Sequence, residues 1–134
     1  MAGKRILIVE DERIMALDLR HRVQQLGHEP VGIVGSGKDA IEHALTLRPD
    51  LILMDILLKG PIDGIQAAQA IRSQYACPVI YLTAHADQST IDRAKVTEPA
   101  GYLVKPVRQR ELQTAIELAL RGETRDQGAR SEPE

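Results

Sequence analysis

The stretch LILMDILLKG, Leu51 to Gly60, places four apolar residues before Asp55 and returns to apolar residues after it. A carboxylate at the end of an apolar strand is costly unless its charge is put to use. The run before it is apolar at every position, as expected of a strand buried on both faces. Four other runs share this character: RILIV (5–9), PVGIV (30–34), PVIYL (78–82) and GYLV (101–104).

Helical spacing fills the gaps between these runs. Met15, Leu19, Val23 and Leu26 form one stripe, ended by Gly27. Ala40, Ile41, Ala44 and Leu47 form a second, opened by Ser36 as N-cap with Asp39 three residues on. Ile65, Ala68 and Ile71 form a third, and Leu112, Ala115, Ile116 and Ala119 a fifth, ended by Gly122. The fourth helix, within ADQSTIDRAKVTE (86–98), has a thin stripe of Ile91, Ala94 and Val96. It is expected to pack weakly and move easily. Five strands alternating with five helices imply an α/β fold, a parallel sheet covered on both faces, with right-handed crossovers. The last stretch, 122–134, has no apolar period and is expected to be a disordered C-terminal tail beyond a domain of residues 1–121.

The chain has 134 residues, enough for one domain with one core, and a formal net charge of −2. That charge predicts neither nucleic-acid nor membrane binding. With three Tyr and no Phe or Trp, the core must be aliphatic. The one cysteine, Cys77, excludes an internal disulfide and suits a reducing, cytoplasmic setting. No apolar run approaches the roughly 18 residues of a membrane span. The opening MAGKRILIVE turns acidic too soon for a signal peptide.

In open α/β sheets ligands bind beyond the carboxyl ends of the strands. Glu10 and Asp11 follow the first strand, Asp55 the third, Thr83 the fourth, and Lys105 with Pro106 the fifth. The second ends in Gly35 and Ser36. Three carboxylates on one rim repel each other, and an oxygen-seeking divalent cation relieves this. A hydroxyl and an ammonium beside them suit an incoming phosphoryl group. Taken singly, Asp11 could cap the first helix and Thr83 the fourth. Together they make the set that one phosphoryl-transfer site needs.

ILIVEDE, LILMDI, YLTA and GYLVKP resemble, in order and spacing, the receiver domain of two-component response regulators, over about residues 4 to 121. The resemblance implies a flavodoxin-like five-stranded sheet of order 2-1-3-4-5 with five helices. Asp55 would be the phosphoacceptor. Glu10, Asp11 and Asp55 would hold Mg²⁺ with the carbonyl of Leu57. Thr83 and Ala84 would bind phosphoryl oxygens and Lys105 would pair with the phosphate. Tyr102 would be the switch aromatic that answers Thr83, and Pro106 would follow a cis peptide. The chain departs from the family in the loop after Asp55. Leu58 and Lys59 stand where Met-Pro is common, Gly60-Pro61 makes the turn, and Gly64 comes one residue later than the family's glycine.

The resemblance also implies a signalling switch more than an enzyme: it catalyses only its own phosphorylation and slow dephosphorylation. A sensor histidine kinase or phosphotransfer protein would be the donor. Output would pass to a downstream protein, with homodimerisation through the fourth helix, fifth strand and fifth helix, and no output domain is read after Gly122. The alternative is a degenerate receiver, a protein-binding module without phosphorylation, against which the intact polar set counts. A third reading starts from GIVGSGKD (32–39), which nearly matches a phosphate-binding loop; but Asp39 stands where a metal-binding hydroxyl is needed, and the segment is expected to lie away from the polar cluster. His21, His28 and His43 lack zinc-ligand spacing and are expected at the surface. His85, two residues past Thr83, falls where the family tunes attack by water, and Cys77 reads as a small apolar filler.

Overall fold

The computed structural model describes residues 3–84 and 87–129. Its elements run β1 (Arg5–Val9), α1 (Arg13–Gln25), β2 (Glu29–Val34), α2 (Gly37–Leu47), β3 (Leu51–Asp55), α3 (Gly64–Arg72), β4 (Val79–Thr83), α4 (Gln88–Val96), β5 (Gly101–Val104) and α5 (Gln109–Ala129). All strand pairs are parallel, in the order β2-β1-β3-β4-β5. This is the doubly wound sheet expected from the sequence.

Side chains alternate across the sheet and build two aliphatic layers. Leu7, Val9, Ile52, Met54 and Tyr81 face α2, α3 and the buried Ala94 of α4. Ile6, Ile8, Leu51, Leu53, Ile80 and Leu82 face Leu19 and Val23 of α1 and Leu112 and Ile116 of α5. β3 and β4 are buried at every position. β2 and β5 are not: most of β2 is half-buried, and Tyr102 and Val104 of β5 are exposed. The strand order accounts for the difference, because only β2 and β5 lie at the edges, where the second face is incompletely covered.

The helix ends follow the capping chemistry read from the sequence, with one exception. Ser36 Oγ accepts from the Asp39 amide at the start of α2. α1 ends one residue before Leu26, and Gly27 follows at φ +88°, a left-handed value that favours glycine. Gly122, expected to stop α5, does not: the helix continues to Ala129. A glycine costs a helix only about 1 kcal/mol relative to Ala and ends it only where the backbone turns left-handed. Residues 130–134 of the expected tail, and His85, lie outside the described residues. In α4 the stripe is thinner than expected. Ala94 is its one buried residue, Ile91 is half-buried, and Val96 is 72% exposed. No helix among the described residues is long and apolar enough to cross a membrane.

Candidate functional site

The parallel register brings the expected polar residues to one rim. Glu10 continues β1, its amide donating to the Val34 carbonyl. Asp55 closes β3, opposite Leu82, and the Ile56 amide donates to the Leu82 carbonyl. Thr83 closes β4 beside Val104, and the Lys105 amide donates to the Thr83 carbonyl. Ala84 follows, exposed, and the Lys105–Pro106 peptide is cis. Glu10, Asp55 and Thr83 are buried, at 2%, 4% and 6% exposure, where a lone charge would be costly.

Lys105 answers that charge. Its Nζ lies 2.8 Å from Glu10 Oε1 and 3.3 Å from Asp55 Oδ2. The second Glu10 oxygen accepts from the Glu12 amide at 3.1 Å. One oxygen each of Glu10, Asp11 and Asp55 lie within 4.8 Å of one another. Opposite ligands of a magnesium ion, at about 2.1 Å each, stand about 4.2 Å apart, so this all-oxygen set fits the ion after a small contraction. A cavity of about 380 Å³ opens beside Glu10 and Asp11, between α1 and the end of β2.

Burial, followed by the Glu10 charge, pushes the Asp55 carboxyl up to about 7 against the pull of Lys105. Burial draws the Lys105 ammonium down, but its hydrogen bond to Glu10 and the charges of Asp55 and Glu10 outweigh it and hold Lys105 above its ordinary value. The Asp55 shift has a stability consequence. Folded Asp55 keeps a proton that an unfolded aspartate, titrating near 4, has released. Metal-free stability from this group is therefore expected to fall as pH rises from about 4 through about 7. A divalent cation held by Glu10, Asp11 and Asp55 would offset the loss, so a Mg²⁺-induced rise in Tm is expected to grow between pH 5.5 and 8. Thermal melts with chelator and with Mg²⁺ check this, and a rise independent of pH contradicts it.

The loop after Asp55 is tied down on both sides. The Lys59 amide donates to Asp11 Oδ2 at 3.2 Å, and Lys59 forms an isolated parallel bridge with Ser36. A Cβ built on Gly37 would lie 2.6 Å from Ile62 Cγ1, so the loop packs against the first turn of α2. Gly60 turns the chain at φ +105°, and the side chain of Leu57 is 65% exposed. Asp63 then caps α3: its Oδ1 accepts from the Gln66 amide, Gln66 Oε1 accepts from the Asp63 amide, and Asp63 Oδ2 meets Arg93 of α4 at 2.8 Å. The D-x-x-Q pattern of that capping box was readable in the sequence; the partner thirty residues away was not.

The simpler structural roles of the site residues are taken by others. Glu12, not Asp11, stands at the N-cap position of α1, without a side-chain hydrogen bond to the first turn, and Asp87, not Thr83, caps α4 through the Thr90 amide. GIVGSGKD lies nearer the cluster than expected, since Gly35 stands against Asp11. Its glycine and serine are nonetheless committed, Gly37 to Ile62 and Ser36 to its cap. Tyr102 sits away from the rim, 37% exposed, its ring 6.3 Å from that of Tyr81. Cys77 is a buried filler, and His21, His28 and His43 lie on helices or loops outside the site.

A doubly wound sheet with this acidic rim defines a receiver, and the chain belongs to that family: the response regulator receiver domain model matches residues 6–117. Among curated proteins it is 39% identical over 117 residues to the transcriptional regulatory protein PdtaR of Mycobacterium tuberculosis, covering 87% of this chain and 57% of that protein. It is 34% identical over 116 residues to the phyllosphere-induced regulator PhyR of Methylorubrum extorquens, covering 86% and 43%. The chain thus spans about half the length of these relatives. Among solved structures, the signal receiver domain of a modulated diguanylate cyclase from Desulfovibrio desulfuricans matches with a TM-score of 0.87 at 37% identity, covering 92% of this chain and 98% of that one. Receivers are signalling switches of two-component systems, and the Glu10, Asp11 and Asp55 cluster is one that can hold a metal ion.

Proposed function

We propose that this chain is a Mg²⁺-dependent switch that accepts a phosphoryl group on Asp55 from a phosphohistidine of a sensor kinase or phosphotransfer protein. The observation that carries it is the convergence of Asp55, Glu10, Asp11 and Lys105 at one buried rim. An Asp55 carboxylate oxygen attacks phosphorus, the phosphorus–nitrogen bond breaks, and the imidazole leaves with the bonding pair. Glu10, Asp11 and Asp55, with the Leu57 carbonyl, would hold Mg²⁺, which supplies neutralisation of charge on the transferring group. Lys105 already bridges two carboxylates and pairs with the phosphoryl oxygens as they arrive. The Thr83 hydroxyl and the Ala84 amide complete the phosphate contacts.

Phosphorylation adds roughly one and a half to two negative charges at Asp55. Thr83 is drawn toward it, and Tyr102, partly exposed at rest, turns into the space released. The face of α4, β5 and α5, which exposes Val96, Tyr102, Val104 and Leu118, then changes shape and offers itself to a downstream protein or to a second copy of the chain. Incubation with acetyl phosphate and Mg²⁺ tests the assignment. One phosphoryl mass on the peptide bearing Asp55, absent when Mg²⁺ is chelated, is the expected result. No gain in either condition would favour the unphosphorylated binding module instead.

A further inference from the structure

We propose that Tyr81 is a positioning residue for the switch: its buried hydroxyl pins the C-terminal end of α4 to β4, so that α4 turns about Thr97 when its other end is drawn toward the phosphoryl site. This rests on the receiver reading given above and adds the fixed point that reading lacks. Tyr81 is fully buried, and its hydroxyl lies 2.7 Å from Thr97 Oγ1. Thr97 donates its own hydroxyl proton to the Ala94 carbonyl at 2.7 Å. A hydroxyl has one proton, so Tyr81 must be the donor to Thr97. The chain runs one way, from β4 through Thr97 to the last turn of α4, with Thr97 itself only 7% exposed.

Two further observations mark this end as held. Glu98, next in sequence, has φ +53°, a left-handed value that a non-glycine residue adopts at a cost. It also precedes Pro99, which disfavours helical backbone in the residue before it. Such a conformation persists where its surroundings over-determine it. The Ala100 amide then returns to the Val79 carbonyl, closing the segment onto β4 again.

The rest of α4 buries little of its surface. Ala94 is its one buried residue, and Arg93 reaches Asp63 through an exposed ion pair of the kind that contributes little. The N-terminal cap, Asp87, follows Thr83 by four residues. A pull on the loop after Thr83 therefore acts on one end of a helix whose other end is fixed. A nine-residue helix is about 13 Å long, so a shift of about 2 Å at its N-terminal end tilts it by roughly 8°. The Tyr81 ring lies on the same face, 6.3 Å from Tyr102, and lines the side past which that ring turns inward.

Tyr81→Phe removes the donor and keeps the ring, while Thr97→Val removes the acceptor and Thr97→Ser restores it. Amide NMR with and without beryllofluoride reads the response, and binding of the mimic is established first from amides at Asp55 and Lys105. In the wild type, amides 88–93 and 101–104 are expected to shift and amides 94–98, at the pivot, to shift least. In Tyr81→Phe and Thr97→Val, where the pivot is lost, the shifts at 94–98 are expected to at least double. Hydrogen exchange at those amides in the resting state should be at least tenfold faster, and Thr97→Ser should match the wild type in both. A general loss of stability would not change the fractional response of the folded protein. A full wild-type response in Tyr81→Phe overturns the pin alone. A wild type that binds the mimic without any change in α4 overturns the switch reading, and the pin with it.

Discussion

Asp55→Asn is expected to reduce labelling by acetyl phosphate to background, a loss of roughly 10³-fold or more, the scale seen when a covalent nucleophile is removed. The amide keeps the shape of the carboxylate but cannot attack phosphorus, and it is a poorer ligand for a hard cation. The fold should survive. Asp55 is buried beside Glu10, and its ionised form is disfavoured there, so a neutral amide relieves repulsion instead of leaving a gap. Lys105 retains Glu10 at 2.8 Å. At pH 8 without metal, the variant should melt at or above the wild-type temperature, and most of the Mg²⁺-induced rise should be gone. Mass spectrometry and paired melts check both halves. Stoichiometric labelling of the variant at another residue would move the acceptor elsewhere.

Gly64→Ala should be among the most damaging single-methyl changes in the chain. A Cβ there would collide with the backbone carbonyl of Asp55, far inside van der Waals contact. The obstacle is backbone, and it is pinned further by the Gly64 amide, which donates to the Ile56 carbonyl at 2.8 Å. Overpacking of this kind costs roughly 1–3 kcal/mol, and a rigid obstacle puts the cost at or above the top of that range. A fall of about 10 °C in Tm follows for a domain of this size. The strain falls directly on Asp55, the proposed acceptor, so phosphoryl uptake should also drop when measured well below the melting temperature. An unchanged Tm would show that the β3–α3 connection can move freely, against the tethering described for it.

The central strands and the rim were legible because their signals are local. An unbroken apolar run marks a strand buried on both faces, and the residue that ends it lands on the rim whatever the helices do. The edge strands were legible as strands but not as half-open ones, since the exposure of Tyr102 and Val104 depends on strand order. Gly122 misled because glycine permits a helix to end without requiring it. Val96 misled because helical spacing alone cannot say how far a short helix rolls from the sheet. The pairs Tyr81–Thr97, Asp63–Arg93 and Gly37–Ile62 were out of reach for another reason. Each joins residues 16 to 30 apart whose meeting is a product of the fold.

The contact of Gly37 with Ile62 has a consequence for inheritance. Neither position can drift alone, because a side chain at 37 collides with isoleucine at 62, while a small residue at 62 leaves a hollow against α2. The loop after Asp55 and Gly37, the first residue of α2, therefore form one heritable unit. Relatives that lengthen the first should carry glycine in the second, and those that shorten it should be free to place larger residues there. A chimera that exchanges residues 57–63 alone would import half of that unit, and its misfit would fall at Lys59, the residue whose amide steadies Asp11.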